Sequence, residues 1–344
     1  MTIILFILIL SLIIVIHEFG HFLFAKLYGV YVYEFSLGMG KKLWSTKKGE
    51  TEYSIRLIPL GGFVSLAGET VEEDNDIPKD RRLQSKSVFQ RFMIMFAGAG
   101  MNFVLALVLL FFSALIFGSV TTKPIIGNME DEYPAYQAGI RENDTIISID
   151  GKEIDTWEDA MWEVQMSNGK TLDFVLEDEN GITKYAKVTP EKQETDEGTT
   201  YIYGISKYNE KEYGLAQAGV YAFEKLGSTF KLMGNTIKSL FVGQVGVDDL
   251  SGPVGIFTVI DAQAKAGVES IIYLIAFLSV NVGVINLIPF PAFDGGRILF
   301  LFIEKIKGSP VDSRLENTIH NIGFMLLMLL MIYVTFNDVF RIIK

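Results

Sequence analysis

The sequence contains no cysteine and only three histidines among its 344 residues. The absence of cysteine excludes disulfides, thiolate metal sites and thiol catalysis, so any bound metal must use histidine and carboxylate ligands. Basic residues are also scarce, with 30 Lys and Arg against 41 Asp and Glu, and this balance argues against a nucleic-acid partner. Yet 49% of the residues are hydrophobic. We therefore expect a membrane protein that also carries a polar domain.

Four long apolar segments predict four membrane-spanning helices. The first runs from Thr2 past His17 until Lys26 interrupts it. About 24 residues at about 1.5 Å each are enough to cross a hydrocarbon core of about 30 Å. Because this segment lacks a basic start and a small-residue cleavage site, we interpret it as a retained span, not as a signal peptide. The four predicted spans are 1–28, 92–118, 269–296 and 317–340.

Lys and Arg are distributed unevenly among the segments between the spans. Residues 26–91 contain 11 of them, whereas residues 119–268 contain 13 in more than twice the length. The positive-inside bias predicts that segments 29–91 and 297–316 are cytoplasmic, and that both termini and the long acidic insertion lie outside. The lack of cysteine and the uncleaved first span suit a bacterial inner or plasma membrane.

Residues 121–206 have the pattern of an α+β domain inserted between the second and third spans. A helix is predicted over about 157–166, and the run from Tyr133 to Gly151 resembles the core of a bacterial PDZ domain. Segment 207–268 follows, in which residues 213–247 have amphipathic helical spacing. That helix suits either a membrane face or packing against the module. Alternating hydrophobic residues and flanking Asn-Gly or Asp-Gly turns predict strands at 145–149, 172–176 and 185–189.

Residues 30–68 predict a β-hairpin at the cytoplasmic end of the first span. Hydrophobic side chains alternate from Tyr31 to Leu37 and again from Tyr53 to Leu57, on either side of a Lys-Gly turn. Such a hairpin either holds an unwound substrate strand along an exposed edge or only anchors the protein at the membrane. The predicted fold is thus a polytopic α-helical membrane protein with about four spans, a cytoplasmic-side, membrane-associated hairpin and one inserted PDZ-like domain.

The first span contains the segment His17-Glu18-Phe-Gly-His21. Helical spacing of four places the two imidazoles one above the other on one face, with Glu18 about 100° round from His17. In this pattern two histidines bind Zn²⁺ and the glutamate acts as general base. Ionisable residues inside a span are costly unless they are paired or coordinated, which favours a functional site.

A catalytic zinc needs a third protein ligand, and three residues are candidates. His320 is isolated near the start of the fourth span, and Glu304 lies beside lysines, which is typical of a solvated helix end. Asp294 follows two prolines and precedes two glycines that break the third span. Irregular backbone at membrane depth occurs only where protein or a water-filled cavity surrounds it. Asp294 is therefore the preferred ligand, although a carboxylate here also suits an N-cap of the next helix.

These motifs together resemble the site-2 protease family of intramembrane zinc metalloproteases, and most closely its branch of the bacterial regulator of sigma-E protease. The resemblance covers nearly the whole chain and includes the segments 97–103 and 251–256. It implies a Zn²⁺ cofactor, with Glu18 as the catalytic base. The implied zinc ligands are His17, His21 and Asp294, and the family positions associated with substrate handling fall on Asn286, Pro289 and Pro291.

The resemblance also implies the reaction, which is hydrolysis of a peptide bond within or near a transmembrane segment. The expected partners are the lipid bilayer and single-span membrane proteins, such as a clipped anti-sigma factor or a remnant signal peptide. The PDZ-like domain is expected either to exclude bulky ectodomains or to bind a trimmed C-terminus. The main alternative is a membrane metalloprotease that cleaves soluble chains. Neither the substrate nor the oligomeric state follows from the sequence.

Overall fold

The computed structural model describes residues 2–69, 76–195, 198–246 and 250–343. The chain forms two compact units, Met1–Leu109 with Ser239–Lys344, and Leu110–Lys238. The first unit contains most of the apolar helical sequence, and the second contains the inserted module. Parts of the predicted hairpin region, module and amphipathic run lie outside the described residues, namely 70–75, 196–197 and 247–249.

Four helices of the described chain are long and apolar enough to cross a membrane, as predicted. The shortest has 20 residues and therefore measures about 30 Å, which matches the hydrocarbon core. The four are α1 (Thr2–Leu27), α2 (Val88–Phe117), α7 (Val268–Leu287) and most of α9 (Ser313–Ile343).

Helix α2 begins at Val88, four residues before the predicted start of the second span. Ser87 and Gln90 form a reciprocal cap at this end. The Ser87 hydroxyl accepts the backbone N–H of Gln90 over 3.3 Å, and the Gln90 side chain accepts the N–H of Ser87 over 3.0 Å. Arg91 then lies within the first turn, where it pairs with Glu304. Because this charge is paired, the helix extends beyond the uncharged run of the sequence.

The third span breaks where the two prolines predict a break. Helix α7 ends at Leu287, and α8 (Asp294–Lys307) begins after the segment 288–293. In that segment short turns replace helical hydrogen bonds, for example from the N–H of Phe293 to the carbonyl of Phe290 over 3.2 Å. Segment 297–316 was expected to be a loop, but α8 occupies its first half. The reason is an apolar face, since Ile298 and Leu301 are buried.

The predicted hairpin consists of β1 (Val32–Lys48) and β2 (Thr51–Leu66). Both strands are bent, and β1 bends at Gly38, where a φ of 86° is accessible to glycine at little cost. As a result Phe35 pairs with two parts of β2, at Tyr53 and Val64.

The bends divide the sheet into four segments. Their order across the sheet is 42–48, 51–56, 32–37 and 62–66. The alternating residues 53–57, which the sequence suggested as an exposed edge, therefore fall mainly in an interior segment. The edges are 42–48 and 62–66, and no strand within the described ranges pairs with the outer side of 62–66.

Two hydrophobic clusters flank the middle of α1. On one side α6 (Pro253–Ala266) and α7 pack against α1, with Ile9, Ile13, Ile260 and Leu274 buried between them. On the other side, Ala25, Val30, Ile94 and Ile298 belong to a cluster that joins α1, β1, α2 and α8. The segment that contains both histidines of α1 lies between these clusters.

The second unit has a four-stranded antiparallel sheet and confirms the three predicted strands. Its core includes Ile146, Phe174 and Val188, all nearly inaccessible. Helix α4 (Trp157–Met166) has the predicted bounds, and Thr156 caps it by accepting the N–H of Asp159 over 3.2 Å. The strands, in sheet order, are β5 (Lys152–Glu153), β4 (Thr145–Ile149), β6 (Leu172–Glu177) and β7 (Thr183–Val188).

Smaller elements complete this unit. The short strands β3 (Ser119–Val120) and β10 (Lys211–Glu212) pair with each other. The points at which the chain enters and leaves the module are therefore adjacent. A second hairpin joins β8 (Glu191–Thr195) to β9 (Gly198–Ile202). A single helical turn, α3, covers Pro134–Gln137.

Helix α5 (Leu215–Val242) contacts the module through its polar face. Lys231 lies 2.6 Å from a carboxylate oxygen of Asp155, and Lys225 forms an ion pair with Glu158. The amphipathic segment therefore packs against the module, and this contact leaves its association with the membrane open. Val220 and Phe223 of the same helix are exposed, with exposed fractions of 58% and 67%.

Candidate metal centre

Helix α1 brings His17 and His21 together one turn apart. Both are buried, and their rings meet edge to face with centroids 4.8 Å apart. Their Nε2 atoms lie only 3.2 Å from each other. Two ring nitrogens that face each other at this distance need a shared cation or proton between them.

Asp294 completes a triangle with the two histidines. Its Oδ2 lies 3.1 Å from Nε2 of His17 and 3.2 Å from Nε2 of His21. A tetrahedral zinc ion with bonds of about 2.0–2.1 Å holds its ligand atoms about 3.3 Å apart. The three residues therefore fit zinc. Phe293, not Asp294, is the N-cap of α8, so the alternative role of Asp294 as an N-cap is not observed.

The second nitrogen of each imidazole faces a polar group of α2. Nδ1 of His21 donates to the carbonyl oxygen of Ile94 over 2.8 Å, which leaves Nε2 free to bind a metal. Nδ1 of His17 faces the side-chain amide of Asn102, 3.4 Å from its nitrogen. The amide oxygen of Asn102 is buried without a partner in the described chain. A half-turn of the amide lets this oxygen accept the Nδ1 proton of His17, which orients that ring as a zinc ligand.

Close packing between α1 and α2 makes this arrangement possible. Gly98 of α2 faces both rings, and a Cβ atom there would lie 2.8 Å from Cε1 of His17. Gly20 of α1 faces the same turn of α2, where a Cβ would lie 2.9 Å from the nitrogen of Gly98. Small residues at such a crossing let two membrane helices approach until their backbones touch.

Glu18 is half-buried on α1 and lies beside the edge segment 62–66 of the sheet. A Cβ atom on Gly62 would be 3.5 Å from Cγ of Glu18. The predicted base, which directly follows His17 on α1, therefore lies beside the backbone of an unpaired strand edge. An extended peptide that pairs with this edge would pass the base.

The other predicted residues lie apart from the triangle. The amide of Asn286 donates to the carbonyl of Val282 in its own helix over 3.0 Å. Pro289 is exposed in the break, and Pro291 lies against α9. Of the rejected ligand candidates, Glu304 pairs with Arg91, and His320 accepts a backbone N–H from the break.

Two further features of the site were not identified as functional from the sequence. Asn102 lies within the segment 97–103 that carries part of the resemblance, but its relation to His17 depends on how two helices cross. Glu69 and Arg297 form an ion pair of 2.7 Å between the end of β2 and the first turn of α8. Burial alone would lower the pKa of Arg297, but the carboxylates of Glu69 and Asp294 raise it above its ordinary value.

The fold and the site together define a class of protein. Helices of membrane length that bring a His-Glu-x-x-His segment to a distant aspartate are the mark of a membrane-embedded zinc metallopeptidase. The chain belongs to peptidase family M50, which it matches over residues 5–330. It is therefore a zinc-dependent peptidase of the site-2 protease type, embedded in a membrane and active in intramembrane proteolysis. The resemblance found in the sequence is confirmed.

Similar proteins agree with this assignment over the full chain. The regulator of sigma-W protease RasP of Bacillus subtilis is 33% identical over 99% of this chain and 98% of its own length. The zinc metalloprotease RasP of Bacillus licheniformis is 34% identical over 99% of both chains. A putative zinc metalloprotease of Clostridium perfringens is 36% identical over 96% of both chains.

Proposed function

We propose that His17, His21 and Asp294 hold the zinc ion and that Glu18 is the general base of peptide hydrolysis. The observation that supports this most directly is the triangle of two Nε2 atoms and one Oδ2, with sides of 3.1–3.2 Å. Bound zinc supplies a Lewis acid that polarises the scissile carbonyl and acidifies water. Glu18 takes the proton from the attacking water and passes it to the leaving amine.

The substrates proposed for this site are single-span membrane proteins. A transmembrane helix hides its peptide bonds in its own hydrogen bonds, so it must unwind before it can be cleaved. Segment 62–66 supports this step, because its outer side is a strand edge that passes Glu18. An unwound substrate that pairs with this edge would carry its backbone past the base.

The chain has no native cysteine, so this edge can be tested by site-specific cross-linking. Ser65 lies on the edge segment 62–66, and Ser45 lies on the opposite edge segment, 42–48. In a Glu18→Gln background, Ser65→Cys should form a disulfide with a single-cysteine substrate, whereas Ser45→Cys should not. Equal cross-linking at both positions would show that the substrate does not pair specifically with segment 62–66. The hairpin would then only anchor the protein at the membrane.

Asn286, Pro289 and Pro291 are proposed to line the path of the unwound substrate. The prolines keep segment 288–293 out of a helix, so its carbonyl groups are not all committed to helical bonds. Among the described residues, the side-chain amide of Asn286 bonds to Val282 of its own helix, and it can exchange this bond for one to a substrate backbone. Asn286→Leu should therefore raise KM with zinc content unchanged.

We propose that segments 29–91 and 297–316 are cytoplasmic and that the module and both termini are outside. The charge bias and the exposed Leu43 and Trp44 of edge segment 42–48 support a hairpin that touches the cytoplasmic leaflet. A membrane-impermeant maleimide on intact bacteria should label Lys187→Cys in the module and not Lys47→Cys in that edge segment. The reverse labelling pattern would show that the membrane topology is opposite to the one proposed.

The segment 207–268 is proposed to be membrane-associated through α5. Its exposed Val220 and Phe223, three residues apart on the helix, form an apolar patch. A fluorophore on Phe223→Cys should be quenched by lipid-phase quenchers in nanodiscs. The same fluorophore on Lys187→Cys serves as the aqueous control.

The module over 121–206 is proposed to be a PDZ-like domain that binds peptides. Between α4 and the segment after β9 lies a cavity of about 430 Å³ with Met161, Val164, Tyr203 and Ile205 in its wall. An apolar cavity beside a helix favours peptide capture over a passive size filter. Deletion of 125–205 separates the two roles: loss of cleavage of trimmed substrates supports capture, and cleavage of untrimmed substrates supports a filter.

The decisive experiment for the function is cleavage of a tagged single-span reporter with a short ectodomain in cells. The wild type should release a fragment, and Glu18→Gln should not, although its shape is preserved. Equal product from both would show that another protease makes the cut. A soluble unfolded reporter, tested in parallel, addresses the alternative of a protease for soluble chains, which predicts cleavage of that reporter. Because the Bacillus subtilis relative is named a regulator of sigma-W protease, a membrane-bound anti-sigma factor is the first natural substrate to test, with remnant signal peptides second.

A further inference from the structure

The segment that precedes Asp294 contains a strained residue. Ala292 has a φ of 91°, a value that residues other than glycine rarely adopt. It lies two positions before Asp294, so its dihedral angle sets the direction in which the chain starts α8. Strain of this kind persists only where the surrounding structure enforces it.

His320 of α9 makes the contact that can enforce it. The backbone N–H of Ala292 donates to Nδ1 of His320 over 3.1 Å. Because Nδ1 accepts, His320 is the neutral tautomer with its proton on Nε2. The ring of His320 also packs against Phe300 of α8, with centroids 5.7 Å apart. His320 thus contacts both the loop and the helix that carry Asp294.

The next turn of α9 supports the same loop. A Cβ atom on Gly323 would lie 2.7 Å from the carbonyl carbon of Pro291, so α9 and the loop are in backbone contact here. His320 and Gly323 are three residues apart and therefore share one face of the helix. The loop has little room to relax its backbone toward α9.

The environment of Nε2, the second ring nitrogen of His320, indicates why position 320 is a histidine and not an apolar residue. Its Nε2 is buried and has no hydrogen-bond partner among the residues that the structure describes. A buried donor without a partner is costly, and an apolar residue of similar size would avoid that cost. The bond from Ala292 to Nδ1 is the contact that an apolar residue cannot make.

We propose that His320 is a positioning residue for the metal centre. By accepting the N–H of Ala292, it holds the strained backbone that aims Oδ2 of Asp294 at the two histidines. The inference rests on the proposed role of Asp294 as a zinc ligand. It gives the isolated histidine of the fourth span a role outside the ligand set.

The test is zinc affinity of the purified full chain in detergent, measured by competition with a chromogenic chelator. His320→Leu removes the acceptor and should weaken zinc binding about tenfold, within the range seen when groups that orient metal ligands are lost. His320→Gln, whose Oε1 can accept the same N–H, should bind zinc nearly as the wild type does. The control Asn321→Leu, an exposed neighbour on α9, should have no effect.

A double substitution distinguishes positioning from packing. Glycine adopts a positive φ without strain, so Ala292→Gly should restore zinc affinity to His320→Leu. Wild-type affinity in His320→Leu, or no recovery in the double variant, would overturn the proposal. If His320→Leu does not fold, weak zinc binding by a folded His320→Gln would overturn it instead.

The substitution Asp294→Ala distinguishes the positioning role of His320 from the proposed role of Asp294 as a zinc ligand, on which it depends. Full zinc binding by Asp294→Ala would refute the ligand role of Asp294 itself. Loss of zinc in Asp294→Ala together with wild-type affinity in His320→Leu would refute only the positioning role of His320. The two failures therefore give different results.

Discussion

Oδ2 of Asp294 lies 3.1 Å from Nε2 of His17, although the two residues are 277 positions apart in the sequence. The contact joins the first apolar helix to the start of α8, so the site forms only when both ends of the chain have packed. We expect both residues to be ligands of the same zinc ion. The site is therefore expected to couple zinc binding to the stability of the helical unit.

This coupling predicts the effect of removing the third ligand. Asp294→Ala should reduce zinc to well below one ion per chain after gel filtration, measured by elemental analysis. Glu18→Gln should retain zinc while it abolishes cleavage, because a general base is not a ligand. A chelator should lower the thermal unfolding temperature of the wild type and of Glu18→Gln, but not that of Asp294→Ala. Stoichiometric zinc in Asp294→Ala would contradict the ligand set.

Asn102 is predicted to orient His17. Its side chain is fully buried, and Ser279 donates to its backbone carbonyl over 2.9 Å, which fixes that turn of α2. Asn102→Leu removes the acceptor for Nδ1 of His17 and should weaken zinc binding about 10- to 100-fold. Asn102→Asp keeps an acceptor and should retain most of the affinity. Similar losses in both variants would indicate a packing role instead.

The residues proposed as ligands could be identified from the sequence because local rules place them. Spacing of four puts His17 and His21 on one helix face, and two prolines mark the break before Asp294. The relation of Asn102 to His17 could not be predicted, because it depends on the depth at which α1 and α2 cross. That depth follows from contacts of Gly98 with the imidazole rings, which no pattern within a single helix reveals.

The arrangement of the sheet and the contacts of α5 likewise could not be predicted from patterns within single segments. Alternation in 53–57 correctly predicted a strand. A period of two shows which side chains share a face of the sheet, but it does not show which strands lie next to each other. The bend at Gly38 and the interior position of this strand were therefore not predicted. The amphipathic pattern of α5 predicted a helix with an apolar face. It did not show that the polar face would bind the module, because the ion pair of Lys225 with Glu158 joins residues distant in sequence.

The contact between Gly98 and the histidine rings predicts that this position tolerates no side chain. Gly98→Ala would place a methyl group 2.8 Å from Cε1 of His17, and overpacking of this kind costs about 1–3 kcal/mol. We expect reduced zinc affinity together with a lower unfolding temperature. Gly100→Ala is the matched control, because its Cβ would lie 3.5 Å from Phe96, an ordinary contact. Equal tolerance at both positions would show that α1 and α2 can separate without loss of the site.

The ion pair between Lys225 and Glu158 predicts a pH dependence for the attachment of α5 to the module. Burial alone would raise the pKa of Glu158, but the charge of Lys225 lowers it below its ordinary value of 4.5. A pKa that is lower in the folded state stabilises the fold above that ordinary value, and the stabilisation is lost as the pH falls through the folded-state pKa.

Lys225→Met leaves the partly buried carboxylate of Glu158 without its cation, and should destabilise the attachment of α5 by about 1–3 kcal/mol near pH 7. Backbone hydrogen exchange along 215–238 measures this, and the difference from the wild type should shrink as the pH falls through the pKa of Glu158, which in the folded wild type lies below 4.5. Lys187→Met is the control, since its partner Asp173 is 65% exposed and stays hydrated, so exchange along 215–238 should not change. A difference that persists unchanged in acid would assign the effect to lost packing of the Lys225 side chain, not to its charge.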